Sequence, residues 1–158
     1  MKKIFAILVA LSLLGTACAA MADLEIPEFD SMPSVVLEDE NTTVEEAAFE
    51  GEWVLNVAFA GTEYIDEQTL AGDYDFNFMP YVIADWKITQ DEQNEYGEFV
   101  TLEMPYTFEA GQLQGEDVNG HAFAVELLED GNIVMSVFYP GEGDEMVCLS
   151  LFLTHPAE

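Results

Sequence analysis

Val100, Leu102, Met104, Tyr106 and Phe108 fall at every second position and alternate with Thr101, Glu103, Pro105 and Thr107. A period of two is that of a β-strand with one buried and one wet face, and a helix cannot present such a stripe. The alternation returns near 112–117, 121–128, 132–139 and 146–154, the last with Val147, Leu149, Leu151 and Leu153 in line. Between these runs lie Glu109-Ala110-Gly111, Val118-Asn119-Gly120, Glu129-Asp130-Gly131 and Pro140-Gly141-Glu142-Gly143, which are turn compositions. This half of the chain therefore reads as an antiparallel meander.

Upstream, Trp53, Leu55, Val57 and Phe59 form a first stripe that Gly61 ends, and Ile65 to Ala71 fits a short helical turn stopped by Gly72. Asp73 to Phe78 alternates strictly, and Tyr81 to Thr89 places Val82, Ala84, Trp86 and Ile88 on one face with Lys87 opposite. The total is about eight strands with little helix, an all-β chain. Its edges must be hidden, so a closed up-and-down barrel is preferred over a two-sheet sandwich.

Register follows from the stripes, because a slip of one residue turns every side chain to the wrong face. A three-residue loop at Glu129-Asp130-Gly131 pairs Leu127 with Ile133, Val125 with Met135 and Phe123 with Val137. A two-residue loop would set Glu126 against Met135, so the longer loop is expected. The same argument at the preceding turn pairs Leu113 with Val125 and sets Asp117 opposite His121.

The interior predicted by this register is bulky: Trp53, Phe59, Trp86, Met104, Tyr106, Phe108, Phe123, Met135 and Tyr139. An eight-stranded barrel is either filled by its own side chains or just wide enough for one small ligand, and this set favours filling. A pocket, where one forms, is expected to be apolar and bounded by Trp53, Trp86, Tyr106, Phe123, Met135 and Tyr139. Tyr106 or Tyr139 is its polar handle. Leu128, Val134, Phe138, Met146 and Phe152 point outward. Their cover is either residues Leu24, Ile26, Phe29, Val35, Val36 and Leu37 of the preceding segment or a protein partner at the Phe138 and Phe152 face.

Three domains of composition succeed one another. Residues 1–22 carry Lys2 and Lys3, then an apolar run from Ile4 to Leu14, then small residues, which is the pattern of an export signal too short to span a bilayer. Two processing routes compete. Ala20-Met21-Ala22 suits cleavage before Asp23 and release of a secreted protein. Gly15-Thr16-Ala17-Cys18 resembles a lipoprotein lipobox, which would lipidate Cys18 and anchor the chain to the cell envelope. Residues 23–48 are acidic, carry Pro27 and Pro33, and read as a linker or loosely docked arm. The β domain occupies 49–158.

The chain has 3 Lys and Arg against 32 Asp and Glu, a formal net charge of −29. Without a basic patch it cannot neutralise a phosphate backbone, which excludes nucleic acid and disfavours anionic membranes and ligands. Self-repulsion of this size keeps a chain soluble and monomeric. Once Cys18 is removed or lipidated, Cys148 is a single thiol and no disulfide forms within the domain.

Gly51-Glu52-Trp53 opens the first strand and about eight strands follow in meander order. Over residues 49–154 the chain thereby resembles the lipocalins, of the short exported bacterial kind. The resemblance implies a barrel and a binding role. Lipocalins also carry a basic residue, usually Arg, near the last strand and packed over the Trp; this chain has no Arg.

The catalytic inventory is thin. His121 and His155 are the only histidines, too few for a three-histidine zinc site. Asp117 opposite His121 is two-thirds of a triad, but Ser31, Ser34, Ser136 and Ser150 lack a nucleophile-elbow sequence. Asp73-Tyr74-Asp75-Phe76-Asn77 opens like a calcium loop, yet its sixth position is Phe78 and its twelfth Ala84. The expectation is an exported acidic binding or interaction domain that is not an enzyme and needs no cofactor or metal. The alternatives are a carboxylate-based hydrolase and a weak calcium-binding acidic module.

Overall fold

A computed structural model describes residues 26–141 and 145–157. The expected export segment, Cys18 and Leu24 lie outside the described residues. Eight antiparallel strands close into a barrel: β1 (Gly51–Ala60), β3 (Tyr81–Ala84), β4 (Lys87–Gln93), β5 (Phe99–Glu109), β6 (Gln112–Glu116), β7 (Ala122–Leu127), β8 (Ile133–Pro140) and β9 (Met146–Thr154). Closure comes from β9 returning to β1, with Leu55 opposite Leu153 and Ala60 opposite Leu149. A short extra strand, β2 (Glu63–Ile65), folds back on the far half of β1.

The meander's register is the one its stripes dictate. Leu127 faces Ile133, Val125 faces Met135 and Phe123 faces Val137 around the Glu129-Asp130-Gly131 loop, where Gly131 takes a φ of +83°. Leu113 likewise faces Val125. These inward side chains are buried together with Leu149, Leu151 and Leu153 in one core.

The first half departs from its pattern in three places. Tyr81 to Thr89 is a hairpin rather than one strand: Ala84 pairs with Lys87, and Asp85 and Trp86 form the turn with φ of +53° and +64°. The turn reverses the faces, so Tyr81, Ile83, Ile88 and Gln90 point inward while Val82 and Trp86 are exposed. Residues 73–78 are not a strand. Asp73 ends a helix, α1 (Glu67–Asp73), and the rest runs as a loop. Finally, a bulge between Leu55 and Val57 shifts the β1 register. One extra residue flips everything after it, which sends Ala58 into the core and turns Val57 and Phe59 to the outside.

Those outward residues are covered by the arm. Val35 bridges to Leu128, Val36 N–H donates to the Leu127 carbonyl, and Glu129 N–H donates to Ser34 O. This pins Phe29, Met32 and Val35 over Phe59, Val134 and Phe152. Phe29 meets Phe59 and Phe152 edge-on, with ring centroids 5.3 and 6.2 Å apart. These side chains are partly buried, and full burial of such a side chain stabilises by about 1.5–3 kcal/mol, so their packing and the backbone bonds hold the arm on the folded unit. Ile26 and Leu37 stay exposed. A partner seated at the Phe138 and Phe152 face would find Phe152 already covered, with Phe138 half-buried and Met146 exposed.

The arm then crosses the end of the barrel where β1 begins. Val44 and Phe49 enter the core there, the latter from a 3-10 turn over Glu46–Phe49. Gly111 permits the crossing, since a Cβ there would lie 2.7 Å from Glu38 Cγ. This end is sealed. β3 pairs with Gly51–Trp53 at this end, and β1 and β3 splay apart toward the other. Helix α1 fills the gap with Leu70, which is buried.

Candidate functional site

The sealed end holds polar side chains that are already engaged. Trp53 Nε1 donates to the Phe49 carbonyl at 2.8 Å, and the Tyr106 hydroxyl donates to Glu46 Oε1 at 2.9 Å. Burial and then the Glu46 carboxylate push Tyr106 up to about 12. Among the described residues, Phe49, Leu113 and Ile133 fill the inside of the barrel at this end and are fully buried.

The opposite end is different. A cavity of about 260 Å³ opens there, floored by Met104 and Met135 and walled by Tyr74, Phe76, Tyr81 and Tyr139. Its polar groups come from two places. From β4, the buried Gln90 donates both amide protons to the loop over 74–80, to Asn77 O at 2.9 Å and to Met79 O at 2.7 Å. Asn77 Nδ2 returns a bond to Asp91 O at 2.8 Å. These bonds hold the 74–80 loop as a rigid lip on the mouth, because a buried amide left unpaired would cost about 1–3 kcal/mol.

The second polar group is the β6–β7 turn. Asp117 Oδ1 accepts from the backbone N–H of Asn119 and of His121, each at 2.8 Å. Its Oδ2 lies 3.0 Å from His121 Nδ1. A carboxylate can only accept, so Nδ1 carries the proton and Nε2 is the ring's acceptor. The imidazole in turn rests against Tyr139, with ring centroids 4.4 Å apart, and Tyr139 meets Tyr74 edge-on at 5.8 Å. Burial raises the Tyr139 hydroxyl above its ordinary pKa, with the Asp117 charge and Tyr74 adding to it. Burial also raises Tyr81 far above the usual range, against a smaller opposing pull from Gln90. Both hydroxyls therefore stay neutral near pH 7.

The six residues expected to bound a pocket separate in space. Met135 and Tyr139 line the mouth. Trp53 and Tyr106 belong to the sealed end, and buried Phe123 packs on Gly115, where a Cβ would come within 2.7 Å of Phe123 Cζ. Trp86 is outside altogether, 63% exposed at its turn, with its ring tilted over Tyr106 at 6.3 Å. The alternation misplaced it because an Asp-Trp pair lacks the glycine that usually marks a two-residue turn.

Sequence reasoning found the Asp117–His121 pair but missed that Tyr74, Phe76, Tyr81 and Gln90 converge on it. The available signal was Pro80 following Gly72, two breakers flanking a run too short to be both helix end and strand. Among the described residues, no group of three or more His, Cys, Asp or Glu is placed to hold a metal ion. Cys148 is half-buried, with Sγ 3.8 Å from Ser150 Oγ. A second concavity, about 340 Å³, lies between the arm and the outer face of β8 and β9.

No protein family, curated protein or solved structure matches this chain.

Proposed function

We propose that the chain is an exported, lipocalin-like binding module that holds one small molecule in the open mouth of its barrel. The observation that carries this reading is the difference between the two ends: one sealed by Phe49 and the arm, the other opening on a concave cavity with methionines at its floor and a largely polar lining. A concave site on which polar groups converge is the usual setting for a small molecule. At about 260 Å³, the mouth lies just under the usual range of small-molecule pockets, about 300–1,000 Å³, and suits a ligand at the small end.

Two features support the lipocalin-like build. The Trp of Gly51-Glu52-Trp53 sits at the sealed end, and a basic side chain does pack over it, His155 in place of an arginine, with ring centroids 3.8 Å apart. The proposed site keeps Met135 and Tyr139 of the residues expected on sequence, with Tyr139 as the handle of the two tyrosines offered for that role. Binding is favoured over carboxylate hydrolysis because, of the carboxylates at the mouth, Asp117 has both oxygens committed to its turn and to His121, while Asp75 and Glu92 are exposed and lack the apolar setting that tunes a catalytic acid. Export leaves two destinations, release from Asp23 or an anchor at Cys18.

Native mass spectrometry of the protein from an exporting host tests both parts. The expected result is a mass beginning at Asp23 with a single small adduct that dissociates on activation. A bare mass, together with no thermal stabilisation by any of a panel of small aromatic alcohols and amines, contradicts the binding reading.

A further inference from the structure

We infer that the barrel mouth is selective for a small organic cation, an ammonium group carried on an apolar body; this rests on the proposed small-molecule site. The lining changes character with depth. Buried Met104 and Met135 form the floor, the rings of Tyr74, Phe76 and Tyr139 form the wall, and the carboxylates of Asp75 and Glu92 stand exposed with Asp117 at the rim. An apolar body suits the floor and an ammonium suits the wall and rim.

Three physical terms favour the cation. Aromatic faces attract an ammonium through their quadrupole, by about 0.5–2 kcal/mol depending on desolvation. Among the described residues, three carboxylates border the cavity, and no Lys or Arg does. Lys87, the sole Lys or Arg after residue 3, adjoins the turn at the opposite end and is paired with Glu103. The field of a chain with net charge −29 concentrates small cations at its surface and repels anions. The raised pKa of Tyr139 agrees, since the Asp117 charge contributes to it and therefore reaches the wall.

An anion of the same shape meets the reverse of each term. A neutral molecule keeps the floor and forgoes the rest.

Isothermal titration of the full mature chain with three isosteric probes tests this: phenethylammonium, 2-phenylethanol and phenylacetate. The expected order is ammonium first, the alcohol weaker by about tenfold, equivalent to about 1.4 kcal/mol, and no heat from the carboxylate. The double variant Asp75→Asn with Glu92→Gln changes only exposed side chains. It should weaken phenethylammonium by about tenfold and leave the alcohol unchanged. Equal binding of ammonium and alcohol, or a double variant that binds the ammonium normally, overturns the cation inference and leaves the small-molecule site standing. Failure of all three probes overturns both.

Discussion

His155 lies flat on Trp53, with ring centroids 3.8 Å apart and an interplanar angle of 27°, while its Nδ1 sits 3.0 Å from the Glu52 carbonyl oxygen. The stack ties the residue after β9 to the first turn of β1, so it locks barrel closure at the sealed end. Gly51 makes room for it: its φ is +134°, and a Cβ there would come within 3.3 Å of the imidazole.

Stacking and one hydrogen bond together predict that His155→Ala costs about 1–2 kcal/mol in urea unfolding. His155→Arg can stack flat and donate to the same carbonyl, so it should keep most of the stability. An alanine variant with the parental midpoint would show that the contact is incidental.

The arm makes a separate prediction. Phe29→Ala removes the ring wedged between Phe59 and Phe152. It should lower stability by about 2 kcal/mol and make the folded protein bind an apolar dye. An unchanged dye signal would mean that the outer cluster stays covered without Phe29.

Alkaline titration tests the buried tyrosines. Burial raises Tyr81 and Tyr139, and burial with the Glu46 carboxylate raises Tyr106 to about 12 from an ordinary 10.0. The folded state then binds more protons than the unfolded one above pH 10, so stability is complete below that value and falls as the pH climbs toward 12. Ultraviolet tyrosinate absorbance should show these three groups ionising late, in step with unfolding. Ionisation of every tyrosine near pH 10 with the fold intact would contradict the burial.

Close packing inside the barrel predicts a severe variant. A Cβ at Gly115 would lie 2.5 Å from the Pro105 carbonyl oxygen, which is backbone and cannot swing aside. Gly115→Ala should cost about 2–3 kcal/mol, whereas Gly120→Ala meets no atom within 4 Å and is strained only through its φ of +82°. Thermal melts of the two variants decide whether crowding at Gly115 dominates.

The second half of the chain was legible because each strand is regular and each turn carries its glycine. Leu127 against Ile133 needed only the alternation and Gly131. The first half resists the same reading because its departures are local and unmarked. A single bulge at β1 moves Phe59 from the core to the arm, and a two-residue turn without glycine moves Trp86 from inside to outside. The number of barrel strands still comes to eight, since the hairpin at 81–93 supplies the strand that 73–78 does not. The site was legible only in part. Asp117 and His121 are four residues apart on one turn, whereas Gln90 reaches Asn77 and Met79 through a loop whose path no local pattern records.

The most direct test of a barrel sealed at one end and open at the other is chemical-shift mapping of the labelled protein with 2-phenylethanol or phenethylammonium. Shifts are expected only at Tyr74, Tyr81, Gln90, His121, Met135 and Tyr139, with the Trp53 indole and Tyr106 unmoved. Shifts centred on Trp53 or Tyr106, or on Phe29 and Ser136 in the groove beneath the arm, would place the binding elsewhere and contradict that expectation.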